Sequence, residues 1–121
     1  NTSYFFIKYL KKIDYLKKIK NIENFFHNQK NIFDSFEFVN NFNGIGFMWG
    51  IEINNSFFSD HDYTNSIRLK LLKRGLITWE CGYNSNVIGL IPPLCISKKS
   101  LNKSINIIYK TFKEINNTHK I

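Results

Sequence analysis

At 121 residues and 14.4 kDa the chain has room for one domain, and 43% apolar against 21% charged residues excludes a disordered tail and fits a globular fold with a small core. No run of 18 apolar residues occurs, which excludes a membrane-spanning helix, and the basic first segment lacks the apolar core and cleavage site of a signal peptide. The formal charge of +8 raises the question of a nucleic-acid partner without answering it.

From Tyr4 to about Lys20, apolar residues fall at Phe6, Tyr9, Leu10, Ile13, Leu16 and Ile19 with lysines between them. That 3.6-residue spacing predicts an amphipathic helix, which Ile22, Phe25 and Phe26 extend to span 4–28. The rhythm begins within the first few residues and no initiator Met precedes it, so the chain reads as a piece of a longer polypeptide. Phe36 to Val39 predicts a strand and Asn43-Gly44-Ile45-Gly46 a turn. Phe47 to Ile53 alternates, with Phe47, Trp49, Ile51 and Ile53 on one face and Met48, Gly50 and Glu52 on the other, so a second strand pairs with the first as a hairpin.

Asn54 to Ser59 is a loop. Ser59 or Asp60 caps the next helix, whose first turn carries Asp60 and Asp62 and whose last carries Arg68, Lys70, Lys73 and Arg74 before Gly75 stops it. Leu76 to Trp79 and Asn86 to Leu90 predict two more strands joined by a bend at Cys81-Gly82-Tyr83, and Pro92-Pro93 ends the second. Ser97 caps a closing helix in which Leu101, Ile105, Ile108, Phe112 and Ile115 recur at spacings of 4, 3, 4 and 3. The order α-β-β-α-β-β-α, without repeat or linker, predicts an α+β domain over residues 1–121: a largely antiparallel sheet with helices on one face.

The charge is explained without a nucleic acid. Asn, Ile and Lys together supply 50 of the 121 residues and Ala is absent, a bias of A- and T-rich codons. The lysines lie opposite apolar helical stripes, where a solvated face needs charge, and only two Arg are present to read bases. His27, His61 and His119 are scattered, and Cys81 and Cys95 lack metal-ligand spacing, so no metal site is expected. Two cysteines in an otherwise ordinary domain point to reduced thiols in a cytoplasmic compartment, with a disulfide left open. Gly44-Ile45-Gly46 precedes a strand and is no dinucleotide fingerprint, and Glu52 and Glu80 are single carboxylates. From the residues alone no catalytic constellation emerges.

The order of segments is more telling. Gly44-x-Gly46-Phe-Met-Trp-Gly-Ile-Glu-Ile53, then Arg74-Gly-Leu-Ile77, then Val87-Ile-Gly-Leu-Ile-Pro-Pro-Leu94 and a closing helix resemble the C-terminal small domain of class III aminotransferases, fold-type I enzymes that use pyridoxal 5'-phosphate. Ile77 to Gly82 with Glu80, followed by Val87 to Leu94, is most similar to diaminobutyrate–2-oxoglutarate aminotransferases. The resemblance runs from about Tyr4 to Ile115.

It implies that a preceding large domain holds the lysine that anchors the cofactor, the phosphate cup and the carboxylate facing the pyridine nitrogen, while this domain closes over amino-acid and 2-oxo-acid substrates. It implies amino transfer from L-glutamate to aspartate semialdehyde, giving 2,4-diaminobutyrate and 2-oxoglutarate, usually by a homodimer. No catalytic or cofactor-binding residue is then expected here, and the chain alone should not turn over. Val87 and Gly89 are the positions expected to face substrate. Many relatives carry, at the position matching Gly89, a basic residue that holds the substrate carboxylate, whereas glycine offers no such contact. Drift in a biased genome and altered substrate preference both account for that departure. The Arg-Gly-Arg-Gly common in relatives is here Asn43-Gly44-Ile45-Gly46, a loss of arginines taken as mainly structural. The alternative from another class is a relic, or a stand-alone basic interaction or nucleic-acid-binding domain.

Overall fold

The computed structural model describes residues 1–58 and 62–119. The helix expected over 4–28 is two helices, α1 (Thr2–Lys12) and α2 (Tyr15–His27). Ile13 between them takes an extended backbone (φ −104°, ψ 140°), which cannot carry a helical hydrogen bond onward. The Asp14 carboxylate accepts from the Lys17 N–H at 3.1 Å, so a residue placed within the helical rhythm is in fact the N-cap of α2. α2 buries Ile22 and Phe26, while α1 buries nothing. A one-turn helix that the sequence pattern did not predict, α3 (Lys30–Phe33), follows and buries Phe33.

β1 spans Val39–Ile45, later than the expected Phe36–Val39. Phe36 and Phe38 are buried, but from a turn in which the Val39 N–H donates to the Phe36 carbonyl at 2.9 Å, and both rings meet Phe112. Their period-two spacing imitated a strand. β2 (Met48–Ile53) pairs antiparallel with β1, so the expected hairpin stands with its turn displaced to Gly46-Phe47. Gly46 supplies the positive φ (+56°) that the turn requires. As expected, Trp49, Ile51 and Ile53 share one face, which is the core face, whereas Phe47, expected with them, lies in the turn.

A single 3-10 turn (Asn55–Phe57) leads to α4 (Tyr63–Lys73). The expected caps Ser59 and Asp60 lie outside the described residues, and Asp62 holds the N-cap position without a capping bond from its side chain. Arg74 follows the last helical residue, donating to Thr111 Oγ1 at 2.8 Å and pairing with Glu114. β3 is Trp79–Cys81 rather than Leu76–Trp79, and β4 (Val87–Leu90) follows. α5 (Lys98–His119) begins as predicted, with Ser97 Oγ accepting from the Ser100 N–H at 3.1 Å.

The four strands run β1-β2-β4-β3, every neighbouring pair antiparallel, so the architecture is the expected α+β. Cross-strand partners share a face. Phe42, Trp49, Ile51, Ile53, Ile88 and Leu90 point to the helices, where Phe26 of α2 stacks on Trp49 with ring centroids 5.3 Å apart. Phe112 of α5 meets Phe33, Phe36 and Phe38 at 5.8, 5.5 and 5.1 Å, which closes the other half of this largely aromatic core. Among the described residues no helix is long and apolar enough to cross a membrane.

Candidate functional site

Alternation along the strands sends the remaining side chains to the opposite face of the sheet, which no described helix covers. Register places them in rows. Glu52 pairs with Val87 and Val87 with Cys81; in the next row Asn43 pairs with Gly50, Gly50 with Gly89, and Gly89 with Trp79. The two positions expected to face substrate, Val87 and Gly89, are therefore two apart on one central strand and point to this open face. Ile45, Met48 and Trp79 on the same face are 74%, 66% and 65% exposed. Apolar surface of that kind marks a site of contact.

Gly89 is buried although it has no side chain. A Cβ there would stand 2.8 Å from Cys81 Sγ and 3.6 Å from the Trp79 Cβ, so the thiol fills the space above it. A Cβ on Gly50 would likewise stand 2.8 Å from Val87 Cγ1. Glu52 is the sole carboxylate in these rows; its Oε1 accepts from Asn86 at 3.3 Å and from Asn40 at 3.5 Å. No basic residue stands in the rows, though Lys30 reaches the β1 edge, where it donates to Asn41 Oδ1 and the Phe42 carbonyl and pairs with Asp34 at 2.9 Å. The family resemblance points to Val87 and Gly89 but misses Cys81, because its contact with Gly89 crosses between strands. Glu80, by contrast, pairs with Ile88 and belongs to the other face, at the edge strand.

Other candidate groups are not brought together. His27 packs edge-on to Trp49 with centroids 4.8 Å apart and lies 3.9 Å from Glu23, an ordinary helical pair. His61 is outside the described residues. Cys81 and Cys95 are free thiols, and no group of His, Cys, Asp or Glu fit to hold a metal occurs among the described residues. Tyr63 stacks on Phe58, and burial raises its phenol above the usual value. An apolar pocket of about 170 Å³, partly open to solvent, lies between the Leu76–Trp79 segment, the Pro92-Pro93 segment and α5, with exposed Ile77 and Ile91 on its rim and Phe26 and Ile108 deeper in.

An imine-forming cofactor needs a buried lysine free to lose its proton. Of the described lysines only Lys18 and Lys30 are even half-buried, and the Lys30 ammonium is engaged by Asp34, Asn41 and Phe42. The described residues therefore do not fit pyridoxal phosphate by themselves. What they offer is a wall with one carboxylate and exposed apolar side chains, in which Cys81 covers Gly89 and Val87 covers Gly50.

The profile of the family described as aminotransferase class-III matches residues 3–112. The chain is 33% identical over 86 residues to an alanine/serine racemase of Pyrococcus horikoshii, covering 70% of this chain and 18% of the racemase. Among solved structures it resembles the ornithine aminotransferase of Plasmodium yoelii (33% identity, TM-score 0.69, 79% of this chain and 24% of that one). It also resembles an adenosylmethionine-8-amino-7-oxononanoate aminotransferase of Methanocaldococcus jannaschii (26% identity, TM-score 0.74, 89% and 25%). The chain thus spans about a quarter or less of the length of these relatives. A match over nine-tenths of its own length, on the same α+β sheet, establishes that the chain belongs to the class-III aminotransferase family.

Proposed function

We propose that residues 1–121 are the C-terminal small domain of a pyridoxal-phosphate-dependent aminotransferase that passes the amino group of L-glutamate to aspartate semialdehyde, giving 2,4-diaminobutyrate and 2-oxoglutarate. The observation that carries the transferase reading is the family match over nearly the whole chain. The open sheet face supports its placement as one wall of a larger site, because exposed Met48 and Trp79 flank the row of Gly50 and Gly89, which projects no side chain of its own. The choice of acceptor rests on the finer resemblance of Ile77 to Gly82 and Val87 to Leu94.

In this reading a large domain supplies the anchoring lysine and holds the cofactor, which provides the electron sink for the bond changes at the substrate. The small domain excludes water and shapes the wall at Val87 and Gly89. The whole enzyme is read as a cytoplasmic homodimer, and this chain alone as inactive. The test is 2-oxoglutarate release by the complete protein supplied with pyridoxal phosphate, L-glutamate and aspartate semialdehyde. Turnover there, and none by residues 1–121 alone, is expected. Transfer to other aldehydes but not to aspartate semialdehyde would overturn the choice of acceptor. Failure with every acceptor would overturn the enzyme.

A further inference from the structure

We propose that Cys81 is a specificity-determining residue: together with Gly89 it keeps this wall of the substrate site free of positive charge, so that the wall receives an uncharged stretch of substrate and not a carboxylate. The inference rests on the aminotransferase reading, under which the open sheet face meets substrate.

Gly89 sits inside β4 with a partner on each side, a position where a β-branched residue suits the pleat and glycine weakens it. Its backbone is not one that only glycine can adopt. What stands against a side chain is the sulfur of Cys81, 2.8 Å from where a Cβ would lie. A basic residue could rise from position 89 only if Cys81 turned away. Across the same rows nothing offers an anion a positive partner, since the one acidic side chain there, Glu52, pairs with Val87 one row from Gly89 and no basic residue stands beside it. A carboxylate laid on this wall would meet a thiol, a valine and another carboxylate, and would lose its water without gaining a charged partner.

The test compares Gly89→Lys, Cys81→Ala and the double variant in the complete protein. Denaturant unfolding should show the lysine variant destabilised, with Cys81→Ala restoring most of the loss, so that the two sites couple. Glutarate serves as the carboxylate probe, followed through the emission of Trp79, which is exposed beside Gly89 while Trp49 is buried. The double variant should bind glutarate roughly tenfold to a hundredfold more tightly than the native protein, the range of one charge-assisted bond. Independent, additive effects would overturn the proposal, and so would native binding of glutarate as tight as that of the double variant. If lysine prevents folding in both backgrounds, Gly89→Ala repeats the coupling test, because the close contact begins at the Cβ. None of these readings needs turnover. Loss of amino transfer with every substrate therefore sinks the aminotransferase assignment separately.

Discussion

Gly44 shows how local the constraints on this chain are. It lies within β1, and a Cβ on it would fall 2.2 Å from the Met48 carbonyl oxygen and 2.6 Å from both Cα and Cγ of Trp49. Two of those three neighbours are backbone of the paired strand, so no rotamer change relieves them. Gly44→Ala is expected to cost about 3 kcal/mol in urea unfolding. Gly89→Ala meets only a thiol that can rotate, and should cost about 1 kcal/mol. Thr78 gives the opposite case. Its hydroxyl is buried with no hydrogen-bond partner among the described residues, so Thr78→Val should leave stability unchanged or raise it by about 1 kcal/mol in the same measurement. At this scale Val87 and Gly89 were legible only through the family resemblance, which marks the positions ahead of Pro92-Pro93. Cys81 was hidden because nothing in a linear sequence shows which residue of the next strand leans over a glycine.

At the scale of elements, the closing helix was legible because its apolar stripe, its cap at Ser97 and its length agree. Phe112 carries much of that agreement: it is fully buried against Phe33, Phe36 and Phe38, and Phe112→Ala should cost about 3–5 kcal/mol in denaturant unfolding. The break between α1 and α2 was not legible, since Ile13 continues the stripe and Asp14 is polar where a polar residue suits a helix as well as a cap. Asp14→Ala should cost about 1 kcal/mol, with helical circular dichroism reduced along with the midpoint of unfolding. Two strands were placed a few residues early, at Phe36 and at Leu76, because buried aromatic and aliphatic residues enter this core from turns and irregular backbone as well as from strands.

At the scale of the molecule, the α+β class followed from the order of elements, but the strand order did not. Two hairpins can be seen in the sequence; that β4 rather than β3 lies beside β2 is a long-range fact. The open face has a solution consequence. With Ile45, Met48 and Trp79 exposed together, residues 1–121 expressed alone should self-associate despite a charge of +8. Sedimentation velocity should show species larger than a monomer, and Met48→Gln with Trp79→Gln should shift them toward the monomer. A native chain that stays monomeric at roughly 100 µM would contradict this, since unprotected apolar patches of this kind drive association.

The seam between β2 and β4 also sets a timetable for folding. Each hairpin closes over a short turn, whereas the seam must wait until some thirty intervening residues, α4 among them, have folded back. Where the halves meet, Gly50 faces Gly89, so that row brings no side-chain adhesion to the joining step. Until they join, β2 and β4 each present an unpaired edge. A nascent chain is therefore most exposed to pairing with a neighbour on the ribosome at the strands that end up in the centre of the finished sheet.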